Sequence, residues 1–202
     1  MLASAELVVA DGMPLVWASR VAGTPLPERV AGSSMTVTLA AAAAAAGRSL
    51  FLLGGNTGVA EEAAEALRAT HPDIRIAGTW CPPMGFEHDA VQMDKIRKSL
   101  AASNADLVLV ALGSPKQERL IRDLRAEGLL PSAWWIGVGI SLSFLTGEVQ
   151  RAPRWMQAAG LEWTHRLVQE PRRLVKRYLL HGIPFGLGLM GSSLAQRLRR
   201  RV

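Results

Sequence analysis

Short apolar runs alternate with helical patterns along most of this chain, and that alternation constrains the fold more than any other feature. The apolar runs lie at residues 6–10, 49–54, 73–78, 106–112 and 133–139, and helical periodicity covers about residues 36–46, 57–70, 89–103 and 115–127 between them. Continuous apolar strands separated by helices predict an α/β fold. We expect a Rossmann-like, mostly parallel sheet with helices on both faces.

Positive charge is concentrated in the last quarter of the chain. Residues 1–150 hold 12 Lys and Arg against 15 Asp and Glu, a net charge of −3, whereas residues 151–202 hold 11 against 2, a net charge of +9. We therefore predict an α/β domain over residues 1–150 and a basic, helical appendage over residues 151–202, with a helix break at Pro171. Nucleic acid, an acidic membrane surface and a phosphorylated substrate all fit this charge.

The single cysteine and the hydropathy pattern bear on the cellular compartment and on membrane insertion. Cys81 is the only cysteine, so no intrachain disulfide can form, which suits a reducing compartment. Residues 1–12 lack the features of a secretory signal. The apolar stretch at residues 178–190 is shorter than the roughly 20 residues that a spanning helix needs. The same stretch is compatible with a segment that lies on a membrane surface.

Four turns contain candidate site residues, because ligands of parallel sheets bind beyond the carboxyl ends of the strands. In chain order, these residues are Asp11; Gly54, Gly55, Thr57 and Gly58; Ser114, Lys116 and Gln117; and Gly137 and Gly139. A glycine turn that opens onto a helix N-terminus offers backbone N–H groups to a phosphate. Each turn taken singly also fits a tight strand–helix connection, and Asp11 fits a helix cap as well as a general base.

The sequence contains no pattern typical of a metal site. Cys81 and His88 have no partner at metal-ligand spacing, and no Asp-x-Asp motif is present to hold a cation against a diphosphate. We therefore expect no metal.

Seven stretches between residues 10 and 178 match a known family pattern in order and spacing. They are ADGMPLVWASR, LPERVAG, FLLGGNTGVAEEAAEAL, GTWCPPMGF, ADLVLVALGSPKQERLI, IGVGISLSFLTGEVQRAPRWMQAAGLEW and RLVQEPRRLVKRY. The most specific parts are LGSPKQE and RAPRWMQAAGLEW. Together these stretches resemble the WecG/TagA/CpsF family of bacterial glycosyltransferases over about residues 6–180.

What the resemblance implies is an inverting, metal-independent glycosyltransferase. Such an enzyme moves a sugar, typically of the N-acetylmannosamine type, from a UDP-sugar donor to a polyprenyl-diphosphate-linked acceptor. It acts as a peripheral protein at the cytoplasmic face of the bacterial plasma membrane, and its products enter teichoic acids, exopolysaccharides and other cell-envelope polysaccharides. The UDP-sugar is a substrate, so the resemblance implies no cofactor. The resemblance is compatible with a homo-oligomer and does not fix the oligomeric state.

The same resemblance assigns roles to individual residues. Asp11 matches the base that takes the acceptor's proton, Arg29 matches an arginine near the diphosphate, and Gln117 matches the polar residue of the Pro-Lys-Gln-Glu motif. Without a metal, the charge of the departing UDP needs arginines and helix N-termini. The resemblance places the appendage against the acceptor's diphosphate and anionic lipid, and its arginines there are Arg151, Arg154, Arg166, Arg172 and Arg173.

Three departures from the family pattern lead to further expectations. Only ten residues precede Asp11, where family members carry several dozen, so we expect this chain to lack the usual N-terminal segment. Ser34 and Ser143 stand where the family often has Asp. We expect these departures to alter donor affinity and sugar preference, and the sequence leaves activity itself open.

Two other function classes remain as alternatives. The first is a catalytically impaired relative that holds a nucleotide-sugar or a lipid. The second is a nucleic-acid-binding protein that uses the basic tail, whose Trp155, Trp163 and Tyr178 could stack on bases. No nucleic-acid-binding motif accompanies that tail, so we expect no nucleic-acid partner.

Overall fold

The chain forms two compact units. The computed structural model describes residues 5–199, except for the side chains of residues 158, 173, 177, 178 and 181. Residues 32–149, joined by residues 5 and 6, form the first unit, which we call the α/β unit. Residues 7–31 and 150–199 form the second, which we call the helical unit. Residues 7–31 therefore group with the C-terminal segment, although the charge pattern predicts a division at residue 150. That residues 1–150 and 151–202 act as separate functional domains stays a prediction.

The helices and strands have the following bounds. The helices are α1 (Met13–Val21), α2 (Gly32–Ala45), α3 (Val59–Thr70), α4 (Ala90–Ser103), α5 (Lys116–Ala126), α6 (Ser141–Thr146), α7 (Arg154–Ala158), α8 (Glu162–Gln169), α9 (Pro171–Arg177) and α10 (Ile183–Arg199). The strands are β1 (Ser49–Gly54), β2 (Arg75–Trp80), β3 (Leu107–Ala111) and β4 (Trp134–Gly137). A short 3₁₀ turn (Phe86–His88) precedes α4, and a π-helical turn (Tyr178–Gly182) precedes α10.

The α/β unit is built on a parallel sheet whose strand order is β2-β1-β3-β4 within the described residues. Every residue of β1 is buried, and so is every residue of β3 after Leu107. Alternate residues of β1 face opposite sides of the sheet. Leu50 and Leu52 pack with α2, α3 and α6, whereas Phe51 and Leu53 pack with α4 and α5. The predicted α/β fold, with a parallel sheet covered on both faces, is confirmed.

Asp106 joins the amino ends of three strands. Its carboxylate accepts hydrogen bonds from the Ser49 backbone N–H at 2.8 Å and from the Ser49 hydroxyl at 2.9 Å. Its backbone carbonyl accepts from the Trp134 N–H at 2.9 Å, which adds the start of β4. The two Ser49 donors, followed by the Arg48 guanidinium at 2.9 Å, lower the pKa of Asp106 from 3.8 to about 2.

The strand predicted at residues 6–10 is wrong. These residues form no strand, and Leu7 and Val8 are 71% and 59% exposed, so they are not the buried strand that their apolar character suggested. The backbone N–H of Val30 donates to the Ala10 carbonyl at 3.0 Å. One such bond aligns two segments of the helical unit without building a ladder. Asp11 consequently precedes α1 and does not follow a strand of the sheet.

The helical unit consists mainly of short helices and one longer helix, α10, which packs against α1. The predicted break at Pro171 is confirmed, because α8 ends at Gln169 and α9 begins at Pro171. Within residues 5–199, no helix is long and apolar enough to cross a membrane.

Replacing Asp106 with Asn should remove one source of acid sensitivity. Because folding lowers the pKa of this carboxyl to about 2, its ionised form stabilises the fold above about pH 4, and that stabilisation is lost as the pH falls from about 4 to about 2. We expect the wild-type urea midpoint to exceed that of Asp106→Asn near neutral pH, and the two midpoints to converge across that window.

The matched control for this comparison is Asp94→Asn. The Asp94 side chain is 54% exposed and pairs with Lys98 one turn along α4, so its removal should change the midpoint little at any pH. A gap between wild type and Asp106→Asn that stays constant down to about pH 2 would contradict the assignment.

Candidate functional site

The carboxyl edge of the sheet gathers one set of the predicted site residues. This set consists of Gly54, Gly55, Thr57 and Gly58 at the end of β1, Ser114, Lys116 and Gln117 after β3, and Gly137 and Gly139 at the end of β4. The parallel topology brings these three turns to the same edge of the α/β unit. The other predicted residues, Asp11, Arg29 and the appendage arginines, belong to the helical unit.

Gly54 lets β1 end in close contact with β3. It has a φ of +117°, and a Cβ at this position would lie 2.5 Å from the Ala111 carbonyl oxygen, so no other residue fits without a shift of the backbone. The next residue, Gly55, donates its N–H to that same carbonyl at 2.9 Å. The turn is therefore held against the neighbouring strand, and the exposed Thr57 lies on its outer side.

Gln117 connects the start of α5 to the turn after β4. The residue is buried, with 7% of its surface exposed. Oε1 accepts from the Gly139 N–H at 3.0 Å, and Nε2 donates to Glu118 Oε1 at 3.0 Å. A Cβ on Gly137 would lie 2.7 Å from Nε2, so glycine at the end of β4 makes room for this amide. Gln117 thus connects α5 to the turn after β4 through contacts within the protein. Its catalytic role stays a prediction.

Glu118 is a residue that sequence reasoning missed. Its Oε2 atom is buried and has no hydrogen-bond partner among the described residues. A buried polar atom without a partner is uncommon in folded proteins and calls for an explanation. The sequence-based prediction named the adjacent Lys116 and Gln117 of the Pro-Lys-Gln-Glu motif. The spacing of the motif does not indicate that the Glu118 carboxylate turns inward.

Lys116 is held by the 3₁₀ turn that precedes α4. Its Nζ lies 2.7 Å from Glu87 Oε1 and 5.5 Å from the centre of the Phe86 ring. The hydrogen bond from Lys116 is the main reason why the pKa of Glu87 falls below its ordinary value. The Lys116 side chain is 37% exposed, so it can still meet an anion at this edge.

The turn at residues 54–58 has an acidic neighbourhood. Glu61 lies in the first turn of α3, where Thr79 donates to its Oε1 at 3.1 Å and Cys81 Sγ lies 3.3 Å from its Oε2. The Ala60 N–H donates to Cys81 Sγ at 3.3 Å, so this donor already has a partner in the protein. Burial, with help from Glu61, raises the pKa of the Cys81 thiol. We expect this turn to meet hydroxyl groups more readily than phosphates.

In the helical unit, one carboxylate holds two of the predicted arginines. Glu162 Oε2 lies 2.8 Å from Arg29 Nη2, and Glu162 Oε1 lies 3.4 Å from Arg151 Nε. The Arg29 and Glu162 side chains are 16% and 15% exposed. A guanidinium has five N–H donors, so this contact uses only part of the capacity of Arg29. The cluster carries a net positive charge and suits an anionic group.

Asp11 belongs to a segment that is hydrogen-bonded to the segment of Arg29. The bond between Val30 and Ala10 places the segments of Asp11 and Arg29 side by side. The N-cap of α1 is Gly12, so Asp11 precedes the cap position, and its side chain is exposed. An exposed carboxylate can reach a bound hydroxyl, and its role as a base stays a prediction.

The remaining appendage arginines differ in their surroundings. Arg154 and Arg172 are exposed, whereas Arg166 is half-buried, and its Nε is buried without a hydrogen-bond partner among the described residues. The side chain of Arg173 lies outside the described residues. Among the appendage arginines whose side chains are described, Arg166 is therefore the one whose buried Nε most clearly needs a hydrogen-bond acceptor.

Two further observations concern metals and cavities. Among the described residues, no group of three or more His, Cys, Asp and Glu side chains could hold a metal ion. A cavity of about 410 Å³ lies at the amino edge of the sheet, where Arg48, Asp106 and Trp134 contribute to its lining. Because Arg48 and Asp106 already pair there, and because ligands of parallel sheets bind at the opposite edge, we favour the carboxyl edge as the site.

Comparisons with known proteins agree with the motifs. The sequence pattern of the glycosyl transferase WecG/TagA/CpsF family matches residues 1–201. The chain is also 34% identical over 173 residues to a curated protein of Bacillus subtilis (strain 168), N-acetylglucosaminyldiphosphoundecaprenol N-acetyl-beta-D-mannosaminyltransferase. That match covers 86% of this chain and 64% of the relative. The resemblance inferred from the motifs is confirmed, and the chain belongs to the WecG/TagA/CpsF family of glycosyltransferases.

Proposed function

We propose that this chain is a glycosyltransferase that moves an N-acetylmannosamine-type sugar from UDP to a polyprenyl-diphosphate-linked acceptor. Family membership supports the reaction class, and the name of the Bacillus subtilis relative supports the sugar and the acceptor. The structural observation that carries the proposal is the carboxyl edge of the parallel sheet. There, the turns at Gly54, Gln117 and Gly139 form a single candidate site.

The charged groups of each unit suit a different kind of ligand group. The carboxyl edge of the α/β unit presents carboxylates, Glu61 among them, and carboxylates accept hydrogen bonds from hydroxyl groups. The helical unit presents Arg29, Arg151 and Arg166, and arginine is well matched to phosphate. We therefore assign the sugar and ribose hydroxyls of the donor to the carboxyl edge of the α/β unit. The arginines of the helical unit suit diphosphate groups.

The reaction follows from an in-line displacement at the anomeric carbon. The acceptor hydroxyl oxygen forms a bond to that carbon while the bond to the UDP oxygen breaks, which inverts the configuration. We assign Asp11 as the base that takes the hydroxyl proton, in agreement with its exposed position. The departing UDP gains negative charge, which Arg29 and neighbouring arginines stabilise without a metal.

We further propose that the helical unit binds an anionic membrane surface at the cytoplasmic face, where a lipid-linked acceptor would be found. Phe185 and Leu187, in α10, are 60% and 70% exposed, and Leu179 and Leu180 in the preceding turn are 57% and 59% exposed. Exposed Arg172 adds positive charge in α9. Exposed apolar side chains next to basic ones are typical of segments that lie in the interfacial zone of a membrane.

The reaction is tested by sugar transfer to a synthetic polyprenyl-diphosphate-GlcNAc acceptor in buffer with EDTA. We expect the wild type to release UDP and to form the disaccharide product from UDP-N-acetylmannosamine. Asp11→Asn keeps the size of the side chain but removes the base, so turnover should fall by roughly 10²- to 10⁴-fold. UDP affinity, measured by calorimetry, should stay close to normal.

Asp73→Asn is the matched control, because Asp73 is exposed just before β2. An Asp11→Asn enzyme with wild-type turnover would exclude Asp11 as the base. Binding of UDP-sugar without any turnover in the wild type would favour the catalytically impaired relative, and turnover that depends on an added divalent cation would contradict the metal-free mechanism.

Membrane binding is tested by sedimentation with vesicles of phosphatidylglycerol and phosphatidylcholine. The wild type should bind, and salt should release it because exposed charges are screened within about 10 Å at 0.1 M ionic strength. Changing Phe185 and Leu187 together to Ser should weaken binding about tenfold or more, since a buried side chain of this kind contributes roughly 1.5–3 kcal/mol.

Met84→Ser is the control for apolar exposure, because Met84 is 99% exposed and belongs to the α/β unit. Undiminished sedimentation of the Phe185/Leu187 double variant would place the membrane contact elsewhere. If the wild type ignores vesicles but binds duplex DNA tightly at physiological salt, the nucleic-acid alternative replaces the membrane proposal.

A further inference from the structure

One oxygen of the Glu118 carboxylate has a hydrogen-bond partner in the protein, and the other has none among the described residues. Oε1 accepts from Gln117 Nε2 at 3.0 Å, while Oε2 is buried without a partner among the described residues. Burying a carboxylate oxygen without a hydrogen bond is costly, because the group loses its interactions with water and gains nothing in exchange. A donor supplied by a ligand would remove that cost.

A chain of hydrogen bonds fixes the direction of this carboxylate. The Gly139 N–H donates to Gln117 Oε1 at 3.0 Å, and this bond determines which end of the Gln117 amide faces Glu118. The opposite amide orientation would place an NH₂ group against the Gly139 N–H and a carbonyl oxygen against the carboxylate. The turn after β4 therefore orients Gln117, and Gln117 in turn orients Glu118.

The position of Glu118 indicates the chemistry of the missing donor. It lies in the first turn of α5, which follows β3 at the carboxyl edge of the sheet. Nucleotides bind beyond this edge in parallel sheets, and an acidic side chain commonly binds the hydroxyls of the ribose. A metal ion is a poorer candidate, since no cluster of metal-ligating side chains occurs among the described residues.

We propose that Glu118 is a substrate-binding residue whose Oε2 accepts a hydrogen bond from a sugar hydroxyl of the nucleotide-sugar donor. Both the ribose and the transferred hexose offer such hydroxyls. The inference rests on the proposed function, because it takes the ligand to be a UDP-sugar. It also gives the Pro-Lys-Gln-Glu motif a physical role: Gln117 positions the carboxylate, and Glu118 binds the donor.

The test measures discrimination between ligands that differ by one hydroxyl. Calorimetry would compare UDP with 2′-deoxy-UDP and 3′-deoxy-UDP, and UDP-N-acetylmannosamine with its deoxy-hexose analogues. The wild type should lose affinity about tenfold or more for one analogue, the range expected for a hydrogen bond to a charged group. Glu118→Met has similar length but no carboxylate and only a weakly accepting sulfur, so it should bind that analogue and its parent almost equally well.

Two additional variants support the interpretation. Glu118→Gln keeps the shape and an acceptor but loses the charge, so its discrimination should be intermediate, and it decides the question if Glu118→Met fails to fold. Asp123→Asn removes one exposed charge from the same helix and should discriminate like the wild type.

The outcomes separate this inference from the proposed function. Loss of discrimination among the UDP analogues assigns Glu118 to the ribose, and loss among the UDP-sugar analogues assigns it to the hexose. If a folded Glu118→Met discriminates as well as the wild type, the inference is overturned, although the glycosyltransferase proposal stands. If the wild type binds neither UDP nor a UDP-sugar, the proposed function fails and this inference fails with it.

Discussion

Burial of β1 and β3 on both faces of the sheet is the constraint on which the α/β unit depends. In a parallel sheet with helices on both faces, the central strands are buried on both sides and read as continuous apolar runs. Their carboxyl ends then emerge at one edge, and the connecting turns meet there. Asp106 secures the opposite, amino edge, where it joins the starts of β1, β3 and β4. The candidate site is thus a consequence of how the core is built.

Close packing at the carboxyl edge determines which groups a ligand can meet. Gly54 allows β1 to end against β3, and Gly137 makes room for the Gln117 amide beside β4. The polar groups left at this edge are largely carboxylates, whereas Glu162 collects Arg29 and Arg151 within the helical unit. Carboxylates accept hydrogen bonds from hydroxyl groups, whereas arginines are well matched to phosphates.

The sequence predicted the fold better than the site. β1 matches its predicted range, and α3, α4 and α5 begin and end within a few residues of theirs, because long apolar runs and helical periodicity are local signals. Residues 6–10 carry a similar apolar run, but without a neighbouring strand they form no ladder. The sequence pattern could not reveal the buried Glu118 oxygen or the Glu162 contacts. The Glu162–Arg29 contact joins residues that are 133 positions apart in the sequence. The inward direction of the Glu118 side chain depends on the assembled sheet.

The central claim, that the nucleotide binds at the carboxyl edge of the sheet, is tested most directly by hydrogen–deuterium exchange with and without UDP. We expect UDP to slow exchange in peptides that contain the turns at residues 54–58, 113–117 and 137–139. Peptides that contain Arg48, Asp106 and Trp134, around the cavity at the amino edge, should exchange at unchanged rates. Protection confined to those amino-edge peptides would contradict the claim and would move the site to the other end of the strands.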